Sequence, residues 1–471
     1  MKTYLLLLVA LCSFFIPAVA QNKYAGIWQG SISAGGKSVH LVFHIRSTDN
    51  KLTGTMDSPD QGVTGIACKA ISEQDDSLYV DMTNMGIAYK GKLTDGGIAG
   101  TWRQSGLVFP LELKKTDNPI ELKRPQTPKQ PYPYLSEDVL YENADKSIQY
   151  GATITIPYGK GTYPAVLLIT GSGPQNRDEE LFGHKPFAVL ADYLTRRGYI
   201  VMRVDDRGIG QTTGDMLNAT TADFAKDVNR GIDYLKKRKE VNTKKIGLLG
   251  HSEGGLIAPM VASARKDVDF IILMAGPGVK ITQLMEEQNA AILEGTDADG
   301  HVVMLYGKLY RGMENAILSA KDSTDARNRI TLTFDSWKKS TPDSVVEKVG
   351  LNTEAARDEY VKLFVSTYNN KWFYYFLSTD PTRYLTKVTC KVLAINGSRD
   401  IQVLAKSNLA GIKESLLLAK NRNFTVQELP GLNHLFQECK TCRSTEYGVL
   451  EQTIAPKALE AIGNWMDKNV K

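Results

Sequence analysis

The sequence predicts an α/β fold, a mainly parallel sheet with a helical cap, preceded by a small antiparallel β-barrel or sandwich domain. Three observations point there. From near Ser136 to the C-terminus, short apolar runs alternate with helical stretches, the order in which strands and crossover helices build a parallel sheet. Between about residues 280 and 385 that alternation stops and long helical patterns take over. From Tyr24 to Lys115 there are only short alternating segments, separated by Gly, Asn and Asp.

In chain order, residues 1–20 carry Lys2, an apolar run from Tyr4 to Ile16 and Ala18-Val19-Ala20 before Gln21. This is the pattern of a secretory signal with a small-residue cleavage site, and its run is short for a membrane span. A periplasmic or secreted location with no membrane span is the expectation. Residues 21–116 form the β domain, with strands at 39–45, 78–82, 87–93 and 108–113. Gly26-Ile27-Trp28 resembles the Gly-x-Trp feature near the start of lipocalin-like barrels. Pro119, Pro125, Pro128, Pro131 and Pro133 make residues 117–135 an extended linker. In the domain from 136 to 471, strands fall at 165–170, 200–204, 246–249, 270–274, 392–395 and 424–429, and ligands gather at the carboxyl ends of such strands. The insert at about 280–385 reads as a helical cap over the site. Trp372-Phe373-Tyr374-Tyr375-Phe376 within it either lines an apolar pocket or fills the cap's own core.

The chemistry concentrates at Gly250-His251-Ser252-Glu253-Gly254, which follows the apolar strand at 246–249 and opens the helical stretch at 255–264. A G-x-S-x-G turn between strand and helix strains the middle residue and lifts its hydroxyl clear of the sheet, as in an α/β-hydrolase. Ser252 is the candidate nucleophile. A hydroxyl is too weak to attack alone, so an imidazole and a buried carboxylate are needed on loops after later strands. Asp400, after the strand at 392–395, and His434, after the strand at 424–429, occupy those places. His301 falls in the cap and reads as a surface residue, His251 as a packing residue of the turn, and Asp380 before Pro381 as a turn opener or helix cap. An oxyanion hole needs two backbone donors. The amide of Glu253 and an amide near Ser172 or Gly173, in the Gly171-Ser172-Gly173-Pro174 loop, are the expected pair.

Residues from Gly171 to Gly278 include GSGPQNRDEELFGHKPFAVLADYLTRRGYIVMRVDDRGIGQTTGD, IGLLGHSEGGLIAPMVA and FIILMAGPG, and ELPGLNHLFQ and EYGVLEQTIAPKALEAIGNWM follow later. This resembles the secreted bacterial α/β-hydrolases of the carboxylesterase type, distantly related to prolyl-oligopeptidase-like hydrolases. The resemblance runs from near Ser136 to the C-terminus. It implies hydrolysis of carboxylic esters by Ser252, Asp400 and His434 through an acyl-enzyme. Arg177, Asp178, His184, Asp206 and Arg207 belong to the same motifs, and read either as ion pairs shaping the mouth of the site or as loop closure.

With 471 residues the chain can bury two cores. A formal net charge of +5 gives no case for nucleic-acid binding. The expected partner is a small-molecule ester; the sequence also admits a homo-oligomer. Neither metal nor organic cofactor is expected, since a single Cys439-Lys440-Thr441-Cys442 has no second ligand pair nearby. A Cys439–Cys442 disulfide bracing the histidine loop is the hypothesis for an oxidising compartment, with Cys68 and Cys390 the remaining cysteines of the mature chain. Two other functions stay open: a peptidase or amidase with the same three residues, and a binding protein whose β domain is the active surface.

Overall fold

The computed structural model describes residues 22–34, 37–49, 51–296 and 298–471, so the proposed signal at 1–20 lies outside the described residues. The chain divides into two compact units, Met1–Leu122 and Lys123–Lys471.

The first unit is a nine-stranded sheet of β1 (Gly26–Ala34), β2 (Lys37–Thr48), β3 (Lys51–Ser58), β4 (Val63–Ala67), β5 (Ala70–Gln74), β6 (Ser77–Met82), β7 (Ile87–Thr94), β8 (Gly97–Gln104) and β9 (Leu107–Lys115). Its order is β4-β3-β2-β1-β9-β8-β7-β6-β5, antiparallel throughout. Alternation sets the buried face: Leu78, Val80 and Met82 of β6 point inward while Ser77, Tyr79 and Asp81 are partly exposed. The sheet curls round a core of Trp28, Phe43, Tyr89 and Trp102. The curl brings β3 near β5, for a Cβ on Gly54 would lie 2.9 Å from Ile71 Cδ1. The short, largely exposed β4 and β5 and the Gly-containing β8 give too weak a pattern to be read as strands from sequence.

In the second unit an eight-stranded sheet comprises β10 (Tyr134–Glu142), β11 (Gln149–Pro157), β12 (Tyr163–Ile169), β13 (Ile200–Val204), β14 (Val241–His251), β15 (Phe270–Met274), β16 (Lys391–Gly397) and β17 (Phe424–Leu429). The order is β10-β11-β13-β12-β14-β15-β16-β17. Pairs from β13/β12 through β16/β17 are parallel, and β10/β11 and β11/β13 are antiparallel. Helices α1 (Pro186–Arg196), α2 (Thr221–Leu235) and α3 (Glu253–Ala264) follow β12, β13 and β14 in turn. Among the described residues, seven further helices form the insert between β15 and β16: α4 (Ile281–Glu294), α5 (Gly300–Ser319), α6 (Ser323–Ser340), α7 (Asp343–Lys348), α8 (Glu354–Asn369), α9 (Lys371–Leu377) and α10 (Thr382–Leu385). The amide of Ile281 donates to the Thr379 carbonyl at 3.3 Å, so the insert is pinned where it leaves and where it returns. Helices α11 (Ala405–Leu418) and α12 (Pro456–Asn469) complete the unit. No helix among the described residues is long and apolar enough to cross a membrane.

The proline-rich stretch is not extended spacer along its whole length. Arg124 donates to the carbonyls of Phe182, Gly448 and Leu450, and Gln126 to that of Ile454. From Lys123 onward it is part of the second unit, where these side chains find their carbonyl partners.

Candidate active site

Strand β14 ends at the foot of α3, and Ser252 turns the corner with φ 53 and ψ −116. Such a backbone costs a β-carbon-bearing residue on the order of 1–3 kcal/mol, and the surroundings must hold it there. Glycine supplies the room. A Cβ at Gly250 would meet the Gly254 carbonyl oxygen at 2.0 Å, and one at Gly254 would meet that of Ile169 at 2.2 Å. Either would push the helix off the strand end.

Asp400 and His434 leave β16 and β17, neighbours in the sheet, and both are buried. His434 Nδ1 donates to Asp400 Oδ2 at 2.8 Å, while Asp400 Oδ1 accepts from the amides of Gln402 and Val403 at 2.8 and 3.0 Å. The Asn433 side chain holds the histidine loop by accepting from the amides of Leu435 and Gln437. Ser252 and His434 line one cavity, but among the described residues no hydrogen bond joins the Ser252 hydroxyl to His434 Nε2. Such contacts in empty sites are commonly long and tighten when substrate binds.

His251 does more than pack. Its Nδ1 faces Glu179 Oε1 at 3.0 Å and its Nε2 faces the His434 carbonyl at 3.0 Å. Both neighbours are acceptors, an arrangement that favours the doubly protonated ring, which can donate from both nitrogens. Burial alone would push this group down, but the Glu179 carboxylate and the His434 carbonyl outweigh it and raise it. Glu179 Oε1 also accepts from the Gly171 amide at 2.7 Å. One buried carboxylate thus ties the Gly171–Ser172 loop to the elbow and, through His251, to the histidine loop. Sequence reasoning passed over Glu179; only its nearness to Arg177 and Asp178 in the motif hinted at a role.

Of the expected backbone donors, Ser172 is on the wall of the Ser252 cavity and its amide has no partner among the described residues. Gly173, with φ 95, is not among the residues lining that cavity. Glu253 begins α3, where first-turn amides have no intrahelical acceptor. Its side chain is buried, accepting from Thr221 Oγ1 at 2.7 Å and Trp372 Nε1 at 2.9 Å. Burial raises this carboxyl although those hydrogen bonds oppose the shift.

The cavity measures about 300 Å³. Trp372, Phe373 and Phe376 of α9 form part of its wall with Leu284 and Met285 of α4, so aromatics of the insert serve both cap and cavity. His301 is exposed, and Asp380 accepts from the amide and hydroxyl of Thr382 as a turn cap does.

The remaining motif residues are paired. Arg177 grips Asp205 with Nη2 at 2.6 Å and Nε at 3.0 Å, Arg203 pairs with Asp178, and Arg207 with Asp227. Asp206 accepts from Thr170 Oγ1 and the Gln175 amide, and burial pushes its carboxyl up to about 7. His184 lies between Thr453 and the Tyr447 carbonyl, and burial lowers it to about 4, a neutral ring. After the histidine loop Cys439 and Cys442 form a disulfide, and the Glu446 carboxylate gathers the amides of Lys440, Thr441 and Cys442. Cys68 and Cys390 are free.

Residues 185–332 match the model of the family described as serine aminopeptidase, S33. The chain is 26% identical over 315 residues to the esterase EstD of Thermotoga maritima, covering 67% of this chain and 65% of that relative. Among solved structures it is similar to Est1E of Butyrivibrio proteoclasticus with ferulic acid bound, at 18% identity and TM-score 0.41 over 70% of this chain and 99% of that one. It is also similar to the esterase Pf2001 of Pyrococcus furiosus, at 15% identity and TM-score 0.42 over 72% and 92%. The second unit holds a G-x-S-x-G elbow on an α/β sheet, and the chain spans 65% of the length of the EstD relative it matches.

Proposed function

We propose that the protein is a secreted or periplasmic serine carboxylesterase. The single observation that carries this is that the strained Ser252 hydroxyl shares a cavity with His434, whose far nitrogen is held by Asp400. In this reading Ser252 Oγ attacks the ester carbonyl, His434 Nε2 takes its proton and returns it to the departing alcohol, and Asp400 fixes the ring and stabilises its positive form. The amides of Glu253 and Ser172 receive the developing oxyanion. Water, activated by the same imidazole, then releases the acid from the acyl-enzyme. Secretion rests on residues 1–20 alone.

The family's description favours a second reading, a serine aminopeptidase. An aminopeptidase needs an acidic group to hold the substrate's terminal ammonium. Glu179, the carboxylate among the lining residues of the Ser252 cavity, is already engaged by Gly171 and His251. That leaves a mostly apolar wall suited to an ester. A fluorophosphonate probe tests the nucleophile directly: labelling of wild type at Ser252 and none of Ser252→Ala is the expected result, and absence of labelling in folded wild type refutes it. Parallel assays on 4-nitrophenyl esters and amino-acid 4-nitroanilides separate the two readings; faster anilide cleavage favours the peptidase.

A further inference from the structure

A second cavity, of about 450 Å³, lies in the cap among α4, α5, α8 and α9. Met285, Gln288 and Phe373 line both it and the Ser252 cavity, so the two spaces share a partition. Aromatic rings make up much of the rest: Tyr306, Tyr310, Tyr360 and Phe364. Phe364 lies 5.6 Å from Tyr310 and 4.9 Å from Tyr360 between ring centroids. Among these rings stands Glu314, only 1% exposed, and neither of its carboxyl oxygens has a hydrogen-bond partner among the described residues. The nearby guanidinium of Arg311 is already committed to Glu286 of α4 at 2.6 Å. Buried polar groups are almost always paired, so a carboxyl left alone on a cavity wall calls for a partner that enters the cavity.

We propose that this cap cavity binds an organic ammonium group, which the Glu314 carboxylate meets with a charge-assisted hydrogen bond and the Tyr306, Tyr310, Tyr360 and Phe364 rings meet with their π faces. Its catalytic corollary rests on the esterase reading: an ester held at Ser252 whose acyl or alcohol part passes Met285, Gln288 and Phe373 ends in an amine at Glu314.

The proton balance separates a cation from a neutral guest. Burial, with Glu286 adding and Arg311 opposing, pushes the Glu314 carboxyl up to about 9, so the empty cavity presents an uncharged acid at neutral pH. Burial also raises Tyr306, Tyr310 and Tyr360, and these stay uncharged over the same range. An ammonium recruits the carboxylate and expels its proton. The association constant therefore climbs about tenfold per pH unit below that value, whereas a neutral hydrogen-bonding guest keeps the proton in place.

Titration calorimetry of the whole chain with 2-phenylethylammonium, and with 2-phenylethanol as its uncharged counterpart, tests this. Expected are binding of the ammonium that tightens about tenfold from pH 6 to 7 and again to 8, release of one proton as read in buffers of different ionisation heat, and at least tenfold weaker binding to Glu314→Gln at pH 8. Thermal unfolding checks that the variant is folded; if it is not, Phe364→Leu is the substitute and should weaken the ammonium several-fold more than the alcohol. No binding, a flat pH response, or equal binding of the alcohol overturns the site. Failure of wild type to turn over any ester, with the titration as expected, would sink the esterase reading and leave the ammonium site standing.

Discussion

Asp400–His434 and Glu179–His251 are both buried carboxylate–imidazole pairs, with N···O distances of 2.8 and 3.0 Å and their rings 4.8 Å apart. They differ at the second nitrogen. His434 Nε2 has no hydrogen-bond partner among the described residues and its ring borders the cavity, whereas His251 Nε2 is spent on the His434 carbonyl. A proton can be accepted and handed on only by a ring with a free basic nitrogen, so the first pair is fitted for transfer and the second for holding. Two nearly identical pairs thus diverge because of one backbone carbonyl.

The largest effect should come from removing the transfer pair: Ser252→Ala or His434→Asn is expected to lower kcat on 4-nitrophenyl acetate by at least about 10⁴-fold, and Asp400→Asn by about 10⁴-fold. His251→Gln should cost far less; an equal loss would break the distinction. Next, Glu179→Gln keeps the shape of the holding pair but removes its charge, loosening the grip on the Gly171 amide. A fall of about 10–100-fold in kcat with little change in KM is expected from steady-state kinetics, as for small misplacements of catalytic groups. Acylation that survives intact would show the tie to be purely structural.

A smaller effect concerns stability against pH. His251 is raised in the folded protein above its ordinary 6.5, so the native state holds its proton longer than the unfolded chain. The stabilisation is full below about 6.5 and fades as pH climbs through the folded value. Thermal midpoints measured from pH 6 to 9 should fall, and fall less steeply in Glu179→Gln. Least of all, Cys442→Ser opens a very short disulfide loop, worth about 2 kcal/mol at most, and should lower the melting temperature by a few degrees with kcat nearly unchanged.

How much of this the sequence discloses depends on what each residue follows. Ser252, Asp400 and His434 each lie at or within a few residues of the end of a strand of the buried sheet, β14, β16 and β17, and the apolar run announces the position. Glu179 follows no such run; it sits on the loop between β12 and α1, and its contact with His251, 72 positions away in the chain, leaves no periodic trace. The same holds for β10, a strand at the end of the sheet whose partly exposed pattern resembles a polar loop, and for Arg124 and Gln126, which reach carbonyls more than 300 positions away in the chain at 448–454. Cap helices were visible as a block because an interruption of strand spacing is itself a signal. Which of their aromatics face the cavity was not, since core and pocket rings share one composition.

The hydrogen bond from Ile281 to Thr379 has a consequence for how such a molecule changes over generations. A stretch of chain that departs and rejoins at a single pinned point can be lengthened, shortened or exchanged without re-threading the strands on either side. Substrate preference, where it resides in that stretch, is then inherited as a cassette, while the reacting groups stay on the sheet and descend separately.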